Sequence, residues 1–275
     1  MRLSLRRTAV ILLLLAAAAL LVACGKSAHF GGAKTVSGSS THVKLGLTRA
    51  RARRLAVTLN LQASDLPGFT AARAHEHDTL VEKKLEHKLA RCMGEQAASD
   101  ALAEASSKSF EHHAQVLHLT VSSSVTIVAT PAQATAELKA IRSAHARVCL
   151  MSFMRELLAK QTQGGASAKL VSISSGTPSA AGTSGTFAWR ITGAFALHEV
   201  KVPFYIEMVG FTHGQDEVQM LSFGLPVPFP ASAEQELFSL LVARANAGGT
   251  SGSGKGAKPP KSAIPTGPRR VQISL

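Results

Sequence analysis

The stretch Leu117–Ala129 limits the fold more than any other part of this chain. Leu117, Leu119, Val121, Val125 and Ile127 recur on one side of a two-residue period. His118, Thr120, Ser122, Ser124 and Thr126 fall on the other. A helix would scatter these residues around its circumference. An extended strand sorts them into one apolar and one polar face. A strand with one wet face belongs to an antiparallel sheet, because parallel sheets are covered on both faces by their crossover helices.

Further strands follow the same logic. Lys169–Ser175 is a second candidate. Phe187, Trp189, Ile191 and Phe195 mark the apolar side of a third, which places Trp189 in the core. Val200, Val202, Phe204, Ile206 and Met208 mark a fourth. Gly214-Gln215-Asp216 reads as a turn into a fifth, Glu217–Phe223, and Pro226, Pro228 and Pro230 end the sheet.

Helical periodicity appears between these runs. Asp78–Cys92 aligns Val81, Leu85, Leu89 and Cys92, and His145–Lys160 aligns Cys149, Leu150, Phe153, Met154, Leu157 and Leu158. Thr130-Pro131-Ala132-Gln133 opens a helix with an N-cap hydroxyl, a first-position proline and a capping-box glutamine. Ser232–Gln235 reads as a second capping box, for a last helix through about Asn246. Leu45–Leu61 suggests a short basic helix leading into a strand or turn. Asp65-Leu66-Pro67-Gly68-Phe69 is a turn, and the Ala/Ser-rich segment Gly94–Ser109 is expected to be partly helical. The expectation is an α+β fold: an antiparallel sheet of about five strands with helices packed on one face.

The N-terminus carries an address. Arg2, Arg6 and Arg7 precede an uncharged apolar run from Thr8 to Ala23. That order is a secretory signal, and at about 15 residues the run is short of the ~20 needed to span a bilayer. The run ends in Leu21-Val22-Ala23-Cys24-Gly25, which resembles the lipobox of bacterial lipoproteins. The resemblance implies that Cys24 becomes the first residue after cleavage and takes a diacylglyceryl group, with fatty chains of the palmitate kind. Two acyl chains give stable membrane attachment where one would be marginal.

With Cys24 assigned to lipid, Cys92 and Cys149 remain. Export makes the surroundings permissive for disulfides, and both thiols lie on the core side of their helices. One bridge is the expectation; two buried free thiols are the alternative.

The formal net charge of +13 is concentrated at the ends. Lys26, Lys34, Lys44, Arg49, Arg51, Arg53 and Arg54 precede the core, and Lys255, Lys258, Lys261, Arg269 and Arg270 follow it, with no acid in either flank. The core between Leu55 and Asn246 holds 15 basic and 17 acidic residues. A basic patch on the fold would mark a nucleic-acid binder, so that class is not expected. Basic flanks beside a lipid anchor suit anionic headgroups or wall polymers. The division expected is residues 1–23 as lipoprotein signal peptide, 24–45 as flexible basic tether, 46–246 as one α+β domain and 247–275 as disordered basic tail.

Asn60-Leu61-Gln62-Ala63-Ser64-Asp65-Leu66-Pro67-Gly68-Phe69 resembles an opening phrase of actinobacterial surface lipoproteins. Cys92 before Met93-Gly94, Ser122-Ser123-Ser124-Val125-Thr126-Ile127 before Pro131, and Cys149 in a helix match their layout. The plan is also similar to the sensor-like extracellular domains of mycobacterial receptor kinases, disulfide-tied α+β sandwiches. The resemblance implies ligand or partner capture without a transferable set of catalytic residues.

Chemistry-bearing motifs are sparse. No Gly-x-Ser-x-Gly elbow, phosphate loop or dinucleotide fingerprint occurs, so no catalytic residue and no cofactor are expected. His75 and His77, with His112 or His113, offer a metal set, but no HExxH or paired Cys/His spacing supports it and no metal is expected. The polar side of the sheet is the better site. Arg190 and Thr192 on the third strand lie beside Lys201, Tyr205 and Glu207 on the fourth, and Arg190, Tyr205 and Glu207 are the ligand-binding candidates. The function expected is an extracytoplasmic, lipid-anchored protein of the bacterial cell membrane that binds a small ligand or an envelope protein. The alternatives are an envelope hydrolase or metal-dependent enzyme, and a structural adaptor acting through its basic tail.

Overall fold

All the strands seen in the computed structural model, which describes residues 47–72, 80–93, 101–160, 166–197 and 200–250, join one antiparallel sheet. The strands are β1 (Thr70–Ala71), β2 (Ala101–Ser106), β3 (Phe110–Ala114), β4 (Leu117–Val128), β5 (Ala166–Gly176), β6 (Gly185–Leu197), β7 (Val200–His213) and β8 (Asp216–Leu225). The helices are α1 (Arg49–Leu59), α2 (Leu80–Met93), α3 (Pro131–Ile141), α4 (Ala144–Lys160) and α5 (Ala231–Gly248). Sheet order is β1-β3-β4-β8-β7-β6-β5, with β2 also paired to β4. The signal segment, the tether, His75, His77 and the basic tail beyond Thr250 lie outside the described residues.

The strands expected from alternation are β4 to β8, and the sheet has eight rather than five. Two of the three extra strands share one edge of β4. β3 pairs with its first half, Phe110 against Val121, and β2 with its second, Ser106 against Ser124. β2 corrects the expectation of partial helix over the described part of Gly94–Ser109, residues 94–100 lying outside the described ones. Its sequence Ala-Leu-Ala-Glu-Ala-Ser favours helix, but the open edge of β4 supplies a full row of hydrogen bonds and overrides that preference. At the gap between β2 and β3 the Ser123 N–H donates to Ser107 Oγ at 2.9 Å. Ser123 Oγ donates to the buried Asn60 Oδ1 at 2.7 Å and accepts from the Leu61 N–H at 2.8 Å. The end of α1 is thereby tied to the point where β4 changes partner.

Helices cover both faces, not one. α1 and α5 lie on the first face, over Leu119, Val121, Val125 and Ile127 of β4, Val209 and Phe211 of β7, and Val218 and Met220 of β8. α2, α3 and α4 lie on the second, over Ile173, Trp189, Ile191, Phe204, Ile206, Leu221 and Phe223. The reason is a change of phase within single strands. In β7, Phe204 and Ile206 point to the second face but Val209 and Phe211 to the first; in β8, Val218 and Met220 point to the first and Leu221 and Phe223 to the second. β7 and β8 are each apolar on one side for part of their length and on the other side for the rest, while β4 is apolar on the first face and β6 on the second, so each face needs its own cover.

Local signals hold at most element ends. Thr130 Oγ1 accepts from the Gln133 N–H at 3.1 Å, with Pro131 in the first turn of α3. The Phe69 N–H closes the Pro67-Gly68 turn on Leu66 O at 3.1 Å, and Gly68 takes φ 88°, open to glycine without strain. The capping box at Ser232 does not form. α5 starts two residues earlier than that box requires, at Ala231, and the Glu234 N–H bonds Pro230 O at 3.0 Å, which places Ser232 inside the first turn. α5 also continues past Asn246 to Gly248, and the Thr250 N–H then donates to the buried Asp216 Oδ2 at 2.9 Å. Thr250 thus lies against the β7–β8 turn, and the residues after it lie outside the described ones.

Cys92 and Cys149 form the expected bridge, with Cα atoms 5.7 Å apart, joining α2 to α4. On the first face, Arg244 of α5 donates to both carboxylate oxygens of Asp65 at 2.8 and 2.9 Å and to Asn60 O at 2.8 Å. Asn60, Asp65 and the Pro67-Gly68 turn therefore work together as the joint between α1, the sheet and α5.

Candidate functional site

The first face is only partly roofed. Where α5 ends its cover, the sheet surface across β5, β6 and β7 carries polar side chains. Strand register places Arg190 opposite Glu207 and Thr192 opposite Tyr205, so all four share this face. Arg190, Tyr205 and Glu207 are thus brought together as the alternation predicts. Lys201 sits further along the same side of β7, opposite Ala196, and is exposed.

Arg190 grips Glu207 with two hydrogen bonds. Its Nε donates to Oε2 at 2.8 Å and its Nη2 to Oε1 at 3.0 Å. The Arg190 side chain is 61% exposed and that of Glu207 21%. An ion pair this open adds little to stability, yet two adjacent strands hold the guanidinium in a fixed position. Ser172 and Thr192 add a hydroxyl pair 2.5 Å apart on the same strip.

Two further members come from elements the periodicity did not connect to the strip. Ser222 lies opposite Glu207 on β8, and Glu234 descends from the first turn of α5. Ser222 Oγ donates to Glu234 Oε1 at 2.6 Å. Glu234 is also hydrogen-bonded to Glu207. Burial pushes the Glu234 carboxyl up to about 7, and the negative charge of Glu207 adds to this against the opposing pull of Ser222 and Arg190. Glu234 therefore keeps its proton well above the pH at which an ordinary glutamate loses it. The chain Ser222–Glu234–Glu207–Arg190 therefore runs from beneath α5 to solvent. Glu234 is legible in the sequence only as an acid in a helix's first turn; its partner strand is set by tertiary packing.

A hydroxyl beside a carboxyl near pH 7 resembles a nucleophile and its base. Access decides against that role, since Ser222 is 1% and Glu234 8% exposed. The reachable part of the network is Arg190, with Tyr205 and Thr192 beside it. That set can hold a polar or anionic group against a rigid sheet.

Of the histidines weighed as a metal set, His75 and His77 lie outside the described residues, and His112 and His113 leave opposite faces of the sheet. His112 points to the first face, where its Nδ1 lies 3.0 Å from Gly68 O. His113 points to the second face and meets Glu111 and His118. His118, expected on a wet face, is buried, as are Thr120 and Ser122, because β4 is covered on both sides. Compared with known protein families and with curated proteins, the chain matches none.

Proposed function

We propose that this chain is a bacterial cell-envelope lipoprotein, anchored outside the membrane through Cys24, whose domain binds a ligand or partner without catalysis. The supporting observation is the open strip of the first face, where Arg190 is held by Glu207 and flanked by Thr192 and Tyr205. A polar strip of the first face left open beside α5 presents fixed hydrogen-bonding groups to an incoming molecule. The anchor rests on the lipobox at Leu21–Cys24. No helix among the described residues is long and apolar enough to cross a membrane. In this reading the basic flanks add attraction to anionic lipid or wall polymer.

One experiment tests both halves. A photo-crosslinking residue at Thr192 in the membrane-held protein should capture a discrete envelope component, and Arg190→Ala should abolish the capture. Capture that survives Arg190→Ala, or no capture, refutes the site. Cys24→Ser should release the protein from membranes, and full membrane retention refutes the anchor.

A further inference from the structure

We propose that Glu111, His113 and His118 form a binding site for a divalent metal ion of the zinc class on the β3–β4 hairpin. Strand register assembles the set. His113 lies directly opposite His118, and Glu111 lies two residues from His113, so all three side chains leave the second face of the sheet together. Ala114 pairs with Leu117 across a turn of only Gln115 and Val116, which fixes that register close to the site.

The ligand atoms converge. One from each of the three residues lies within 4.8 Å of the others. His113 Nε2 is 3.1 Å from Glu111 Oε2, and the His113 and His118 rings stack 4.2 Å apart. His118 is 7% exposed and its Nε2 has no hydrogen-bond partner. A buried ring nitrogen without a partner carries a desolvation cost that a hydrogen-bonded stack of His113 on Glu111 does not relieve. A metal ion between the three residues would supply the missing contact.

The donor set fits zinc. Two imidazoles and one carboxylate, with water in the fourth position, match open zinc sites, whose Zn–N bonds are about 2.0–2.1 Å. Tetrahedral donors at that bond length are about 3.3 Å apart, so the cluster must tighten on binding. The rings are tilted by only 17°, and their in-plane lone pairs do not yet converge. His113 can make that adjustment, since its side chain is 47% exposed while His118 is held in the sheet. Among the described residues the other cluster of ligand type, Cys92, His145 and Cys149, has both thiols locked in the disulfide.

The test uses the full chain, purified in detergent with its disulfide intact and stripped of metal. It is titrated with Zn²⁺ by calorimetry and with Co²⁺ by visible absorption. One ion per chain should bind saturably, and Co²⁺ should give the intense d–d bands of a low-symmetry four-coordinate site. His113→Ala, at an exposed position, should weaken binding by more than about a hundredfold, beyond the effect of losing an outer-shell partner. Glu111→Gln should weaken it as well, with thermal unfolding of the metal-free variants confirming an intact fold. His75→Ala combined with His77→Ala should leave binding unchanged. Absence of saturable binding, binding unaffected by His113→Ala, or binding lost with His75 and His77 instead overturns the site.

Discussion

Replacing Glu234 by Gln probes the buried end of the Arg190–Glu207–Glu234–Ser222 chain. An ordinary glutamate ionises near 4.5, and burial beneath α5 with Glu207 alongside pushes this one up to about 7. Between those values the folded state holds a proton that the unfolded chain has lost. Stability is therefore greatest below about 4.5 and falls as pH rises through about 7. At about 1.4 kcal/mol per pH unit, the gap corresponds to on the order of 3 kcal/mol. Gln keeps the shape, accepts from Ser222 through its oxygen and donates to Glu207 through its amide, but it does not titrate. Other groups shape the raw profile. His118, held neutral by burial and pushed down to about 4, contributes stability that grows with pH in the acid range. The difference between parent and variant removes those contributions. Denaturant unfolding from about pH 4.5 to about pH 8 should show Glu234→Gln gaining on the parent by on the order of 3 kcal/mol, with the denaturant slope unchanged. A difference that stays constant across that range would refute the raised Glu234 carboxyl and the buried network built on it.

Three further outcomes follow from the packing. Replacing Cys92 and Cys149 together by Ala opens a loop with a sequence separation of 57 and should lower stability by up to about 4 kcal/mol; thiol labelling of the parent without reductant should find neither cysteine free. Arg244→Ala leaves the half-buried Asp65 with only the Gln62 N–H as partner and should cost about 1–3 kcal/mol, and a double-mutant cycle with Asp65→Asn should return a coupling above about 1 kcal/mol. Gly193 sits against the Phe204 ring across the β6–β7 ladder, so Gly193→Val should cost about 1–3 kcal/mol or more in urea unfolding, and an unchanged midpoint would contradict that contact.

The strands that can be read from the chain are those whose side chains alternate over long spans. β4, β6, β7 and β8 announce themselves because apolar residues at every second position have only one stable use. The cap at Thr130 and the pairing of Cys92 with Cys149 are legible for the same reason: a hydroxyl before a proline and two thiols on core-facing helix sides each carry a local physical preference. β2 and β3 are not legible. Ala101–Ser106 is written in residues that favour helix, and Phe110–Ala114 carries two histidines and a glutamate, so both depend on the edge that β4 offers. The capping box at Ser232 satisfies a local pattern and still loses to a helix that begins at Ala231.

The sequence by itself determined an antiparallel α+β domain, the bridge between its two core cysteines, and the placement of Arg190, Tyr205 and Glu207 on one side of neighbouring strands. These follow from periodicity and spacing, which act over a few residues. Tertiary structure alone decided that both faces are covered, because the apolar phase reverses within β7 and β8 and only packing shows which helix answers each half. It also decided the chemistry of the groups. Glu234 holds its proton because α5 buries it against Glu207, and His118 meets His113 and Glu111 because a two-residue turn folds β3 onto β4. Burial and convergence depend on residues far apart in the chain, and no local pattern carries them.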